Sequence, residues 1–177
     1  MKYGALEYAY AAPIADALLN DAAFRDWFVG RTKLADLGPA RVLADDMKAR
    51  RSKAAADWWR SHYSEKCRCD GCRGQETDML VVLEFDGGER AALHIEVKQP
   101  TDVFKTGQGR AYAARAACWI KQPPNAIVPH TKSTTLLLCL GSRLQSFGAE
   151  PQEFDTLVTF EDIEGRFPGV LPARSLS

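Results

Sequence analysis

The spacing of hydrophobic positions changes character several times along the chain, and each change outlines an element. Leu18, Leu19, Phe24, Trp27 and Phe28 recur at helix-like intervals. Asn20-Asp21 offers an N-cap for a helix over residues 22–29, and Gly30 is placed to stop it. Pro13 predicts that the segment before it is a separate short helix or turn. Gly38-Pro39 marks a break, after which residues 40–62, rich in Ala, Lys and Arg, predict a long polar helix. It ends in Trp58-Trp59, expected to pack in the core. Residues 64–74 have the composition of a loop. Residues 79–83 are a short apolar run, Asp86-Gly87-Gly88 is a hairpin signal, and residues 91–98 alternate. Leu93, Ile95 and Val97 fall on one face of that strand, His94, Glu96 and Lys98 on the other. Residues 107–121 return to helical character, residues 134–140 read as a strand buried in mid-sheet, and residues 154–160 as a further strand. The order of helices, hairpin, helix and strand predicts an α/β or α+β sheet flanked by helices.

Composition bounds this picture. A length of 177 residues fits one domain, and 46% hydrophobic against 26% charged residues excludes disorder of the whole chain. No apolar run approaches the roughly 20 residues of a membrane-spanning helix. Met1-Lys2-Tyr3-Gly4 shows no signal-peptide pattern, so a soluble, cytoplasmic protein with no membrane partner is expected. The formal net charge is zero, yet it is unevenly spread: residues 41–73 carry nine Lys or Arg against five Asp or Glu. Residues 98–121 carry five basic residues against Asp102 alone, while residues 150–164 hold six acids and no base. Local basic surface is what a nucleic-acid backbone requires, although charge runs are equally often solvated faces.

The chemistry-bearing residues gather around the predicted hairpin. Asp78 opens one strand, and Glu96 lies near the end of its partner, so their carboxylates can converge across the turn. Two converging carboxylates repel unless a cation sits between them, and hard oxygen ligands suit Mg²⁺ or Mn²⁺. A lysine beside such a pair, Lys98, can position a water or offset charge on a phosphate. Asp78 followed by Glu96-Val97-Lys98 resembles the D…(D/E)-x-K signature of the PD-(D/E)XK nuclease superfamily. Thr77 stands where the Pro of that name would be. Ten residues past Lys98, Gln108-Gly109-Arg110-Ala111-Tyr112 matches the Q-x-x-x-Y helix motif of RecB-like members. Positions i and i+4 share a helix face, which turns Gln108 and Tyr112 toward one cleft.

The resemblance spans roughly residues 76–140 and implies a restriction-endonuclease-like mixed β-sheet flanked by helices. It implies metal-dependent hydrolysis of DNA phosphodiester bonds, with Mg²⁺ (or Mn²⁺) held by Asp78, Glu96 and the backbone carbonyl of Val97. Lys98 would hold or activate the attacking water, and Gln108 and Tyr112 would orient substrate phosphate or the lysine. Family members often add an acid from the first helix; Glu7, Asp16 and Glu76 all stand open for that role.

Three of the five cysteines cluster, and His62, Cys67, Cys69 and Cys72 form H-x₄-C-x-C-x₂-C. Four soft or borderline ligands are enough for a closed, structural tetrahedral Zn²⁺ site. An iron–sulfur cluster would need Cys118 or Cys139 as its fourth ligand, and both lie in segments that read as buried. Arg68 and Arg73 beside the cysteines could touch phosphate. The expected layout is a single domain over 1–177: a mainly helical segment 1–63, a zinc loop 62–74, a catalytic core 76–140, and a C-terminal strand and tail 141–177. The expected partner is DNA, with a homodimer or protein partner open. The competing readings are a catalytically inactive nucleic-acid-binding module of the same fold, and a zinc-stabilised interaction protein whose acidic C-terminal part contacts a basic partner.

Overall fold

A computed structural model describes residues 5–51, 57–60, 62–63 and 76–172. Helices α1 (Ala5–Asn20) and α2 (Ala22–Gly30) lead into strand β1 (Ala40–Val42) and the short α3 (Ala44–Ala49). Strands β2 (His62–Tyr63) and β3 (Glu76–Thr77) precede the hairpin of β4 (Met79–Phe85) and β5 (Arg90–Val97). Helix α4 (Gln108–Lys121), strand β6 (Lys132–Cys139), strand β7 (Thr156–Thr159) and α5 (Phe160–Arg166) complete the chain, with 3-10 turns at Gly141–Phe147 and Glu150–Glu153. One sheet has the order β1-β4-β5-β6-β7; its first three strands run antiparallel, and β5, β6 and β7 run parallel. This is a mixed five-stranded α/β sheet flanked by helices. Among the described residues no helix is long and apolar enough to cross a membrane.

The hairpin forms where the pattern placed it. Gly88 adopts φ +83°, a conformation that a side chain would strain, and Phe85 N–H donates to Glu89 O to close the turn. α4 and the mid-sheet strand β6 also appear where expected. The expected strand over residues 154–160 is shorter: Phe154 closes a 3-10 turn and Phe160 opens α5.

Two expectations on the N-terminal side are corrected. Pro13 does not divide α1, which runs through it. Ala11, Ile14 and Leu18, spaced as one helical face, are all fully buried. At roughly 1.5–3 kcal/mol for each large buried apolar side chain, that face outweighs the roughly 3 kcal/mol a mid-helix proline costs. Nor is 40–62 one long helix. Ala40 and Val42 are buried while Arg41 faces out and pairs with Glu84 across the ladder, so the segment starts as an edge strand. Helical composition there yields to pairing with β4, and the helix is only six residues long. Trp58 and Trp59 are buried, as expected of core residues. α2 matches its expectation, with Asp21 Oδ1 accepting from Phe24 N–H at 3.0 Å.

The acidic C-terminal stretch is committed to the fold. Glu150 accepts from the N–H groups of Gly107 and Gly109, Glu161 from Gly141, and Glu164 from Gly169 and Leu171. Asp162 completes a capping box with Thr159. Asp155 accepts from Thr135 N–H at 2.9 Å and from Lys33 Nζ at 2.8 Å, tying β6 to the segment after α2. Burial alone would raise its pKa, but these donors hold it below the ordinary carboxylate value. Asp155→Ala is therefore expected to cost about 1–3 kcal/mol of unfolding free energy, read from urea melts at neutral pH. Because the native pKa is depressed, the stability Asp155 supplies is present above the unfolded value and lost as pH falls through the native one.

Candidate active site at the end of the central hairpin

The strand face carrying His94, Glu96 and Lys98, polar in its pattern, is roofed by α4. His94 is fully buried, with its ring 5.3 Å from that of Trp119, and Glu96 is only 2% exposed. Strand alternation sends Leu137 and Cys139 of the neighbouring β6 to the same side, where they cluster with Tyr112 of α4. Ile95, Val97, Leu136 and Leu138 join the main core with Ala11, Ile14 and Leu18 of α1.

The β4–β5 register pairs Met79 with Ile95, so one step further Asp78 stands opposite Glu96. Asp78 occupies the bend between β3 and β4, where its Oδ2 accepts from Val97 N–H at 2.9 Å. That bond turns the Asp78 carboxyl toward Glu96, and the two carboxyl groups lie within hydrogen-bonding reach of each other. Glu96 Oε1 accepts from Lys98 Nζ at 2.6 Å and from Gln108 Nε2 at 2.7 Å, while Glu96 Oε2 is buried with no donor. Gln108 bridges the two charged groups, since its Oε1 accepts from Lys98 Nζ at 3.1 Å. The Lys98 ammonium also lies 4.7 Å from the centre of the Phe104 ring. Thus Asp78, Glu96, Val97, Lys98, Gln108 and Tyr112 are brought together.

Tyr112 acts elsewhere than on the lysine. Its fully buried hydroxyl accepts from Asp78 N–H at 3.0 Å and donates weakly to Ile95 O at 3.5 Å. Tyr112→Phe keeps the ring against Phe154 and Arg115 but leaves the Asp78 amide without its acceptor. We expect a loss of about 1–3 kcal/mol in stability, measurable by chemical denaturation.

The electrostatics are those of crowded acids. Burial, then the charges of Glu96 and Glu7, raise Asp78 well above the ordinary aspartate value. Glu7 on α1 is pushed up to about 7, by burial first and then by Glu96 and Glu76. Burial pulls Lys98 down, but Glu96, Asp78 and Asp102 outweigh it and hold the amine above the ordinary lysine value, hence protonated. Of the three acids the sequence left open, Glu7 faces the pair electrostatically. Asp16 is exposed and accepts from Asn20 Nδ2 at 2.8 Å, and Glu76 is exposed on β3.

Among the described residues no group of three or more His, Cys, Asp and Glu side chains is set to chelate a metal ion. The acids form a pair to which Glu7 adds charge. The donor chemistry nonetheless fits a hard cation: two carboxyl groups in reach of each other, one buried oxygen with no donor, and a single ammonium against several acids. The expected zinc ligands Cys67, Cys69 and Cys72, with Arg68 and Arg73, lie outside the described residues, as does the side chain of His62. The segments flanking that run are paired, His62 opposite Thr77 and Tyr63 opposite Glu76.

Several contributors were not read from the sequence. Asp102 accepts from Gln99 N–H at 3.1 Å and adds charge near Lys98; an Asp in the Pro-Thr-Asp run just after the strand is a turn signal that could have been noticed. Phe104, a lone aromatic in a polar loop, is a comparable clue. Glu150, which grips the start of α4, leaves no local trace. Comparison of the chain with family models, with curated proteins and with solved structures returns no significant match.

Proposed function

We propose that the protein is a divalent-metal-dependent nuclease that hydrolyses DNA phosphodiester bonds. The observation that carries this reading is the Asp78–Glu96 pair, a half-buried and a buried carboxyl within reach of each other beside a protonated Lys98. Two acids held this close repel each other unless one keeps a proton or a cation sits between them, and a divalent ion would relieve that repulsion. Mg²⁺ or Mn²⁺, when bound, supplies Lewis-acid polarisation of a phosphoryl oxygen and acidifies a water. Asp78, Glu96 and the Val97 carbonyl are the proposed ligands, with Glu7 as a further acid.

The chain's own residues divide the remaining work. Val97 N–H and Tyr112 fix the position of Asp78, and Gln108 fixes Glu96 relative to Lys98. An ammonium has three N–H donors. Glu96 and Gln108 take two of them, so Lys98 has a third for an attacking water or a non-bridging phosphate oxygen. As a protonated group it orients the nucleophile and offsets charge developing on phosphorus, and does not serve as the base.

Incubation with supercoiled and linear DNA in Mg²⁺, Mn²⁺ or EDTA tests the reading. Cleavage with either metal and none in EDTA is expected; intact DNA under every metal condition overturns it. A structural zinc on His62, Cys67, Cys69 and Cys72 remains part of the proposal, supported by the β2–β3 ladder that sets the two flanks of the cysteine run side by side. Purified protein is expected to carry zinc, and less than about half an equivalent by metal analysis counts against it.

A further inference from the structure

We infer that Glu150, 42 residues beyond Gln108 in the chain and outside the sequence motif, is a positioning residue for the proposed active site. Its two carboxylate oxygens clamp the amides on either side of Gln108. Oε1 accepts from Gly107 N–H at 2.7 Å and Oε2 from Gly109 N–H at 2.9 Å. Gly107 is the N-cap of α4 and has no side chain to cap with; it sits at φ +78°, which a side chain would strain. The first turn of α4 is thus capped by a carboxylate from the 3-10 turn Glu150–Glu153, which also complements the positive end of the helix dipole.

A second observation shows how closely that turn is seated. A Cβ on Gly109 would lie 2.7 Å from Glu153 Cβ and 2.8 Å from the Glu150 carbonyl oxygen, inside van der Waals contact. The two elements touch backbone to backbone, and only glycine fits between them. Gln108, flanked by both clamped amides, is the residue whose side chain spans 2.7 Å to Glu96 and 3.1 Å to Lys98. With the backbone on either side of Gln108 held by Glu150, its amide arrives at that bridge in one register. Glu150 touches none of the acids itself, so its effect on them runs through Gln108.

The inference rests on the nuclease reading for its catalytic consequence, but its geometric content is testable without it. Compare wild type, Glu150→Ala, Glu150→Gln and Gly109→Ala, with Glu153→Gln as a control whose exposed carboxylate lies 3.9 Å from Arg110. NMR of the Gln108 side-chain amide reports the bridge directly. In wild type its protons are expected to be shifted and protected from exchange; in Glu150→Ala and Gly109→Ala they move toward free-amide values. Glu150→Gln, which keeps one of the two acceptors, falls between. Glu153→Gln matches wild type. In cleavage assays kcat is expected to fall roughly tenfold or more through misplacement, with KM changed by less than about twofold. Gly109→Ala disturbs the same seat from the α4 side while leaving the Glu150 carboxylate in place, so the two variants reach the bridge by different routes. Gln108 amide signals unchanged in both folded Glu150→Ala and folded Gly109→Ala overturn the inference. Should wild type cleave no nucleic acid, the nuclease reading fails while the NMR comparison still decides this one.

Discussion

Replacing Lys98 with methionine is expected to reduce metal-dependent DNA cleavage by roughly a hundredfold to a thousandfold. The side chain is 8% exposed and donates to Glu96 Oε1 at 2.6 Å. In the proposed reaction it is the cation that would meet charge developing on the phosphate. Methionine approximates the volume of the aliphatic stem, so the loss isolates the ammonium better than alanine would. The same substitution removes one partner of a buried ion pair, for which about 3–5 kcal/mol of destabilisation is typical. The assay therefore belongs at a temperature where circular dichroism shows the variant folded. A folded Lys98→Met protein that cleaves as well as wild type contradicts the proposed role.

Asp78→Asn is expected to act in opposite directions on activity and stability. It removes a proposed metal ligand, so activity falls by several kcal/mol of transition-state stabilisation, roughly a hundredfold or more in rate. Yet Asn keeps an oxygen that can accept from Val97 N–H, while the charge that burial, Glu96 and Glu7 penalise is gone. The metal-free variant should melt above the metal-free wild type, each kcal/mol recovered raising Tm by roughly 2–4 °C in a domain of this size.

The pH dependence follows from the same crowding. Asp78 and Glu7 are raised above their ordinary values, Glu7 from 4.5 to about 7. The folded state then holds protons that the unfolded chain releases. Their favourable contribution is complete below the unfolded values and is lost as pH rises through about 7 at Glu7. Buried His130, held below the ordinary histidine value, works in the opposite direction over the same window, so the deciding quantity is the difference between two proteins: wild type should fare worse than Asp78→Asn as pH rises. Thermal melts of both without added divalent metal at several pH values check this; a wild type that loses no more than Asp78→Asn between pH 5 and pH 7 would contradict the crowding of the acids.

What the sequence made legible was what depends on local period. The strand alternation over β5, the hairpin turn and the i, i+4 spacing of Gln108 and Tyr112 locate the site residues, because in each case backbone geometry alone sets which side chains share a face. What it hid depends on contacts between distant segments. Ala40–Val42 has a helical composition but pairs with β4. The burial of His94, Glu96 and Lys98 comes from α4 lying over a face that the strand pattern leaves polar. Choosing Glu7 over Asp16 required knowing which turn of α1 faces the end of the hairpin, since both are acids on the same helix. Glu150 reaches Gly107 and Gly109 across more than forty residues of chain. Period carries no information at that range.

Titration of purified protein, freed of loosely bound divalent ions by gel filtration without chelator, with Mn²⁺, followed by electron paramagnetic resonance, is the most direct measurement. Saturable Mn²⁺ binding is expected in wild type, lost in Asp78→Asn and in Glu96→Gln and retained in Lys98→Met. Mn²⁺ binding that survives both acid substitutions, or is absent from wild type, would mean that the paired carboxyl groups do not serve a divalent cation.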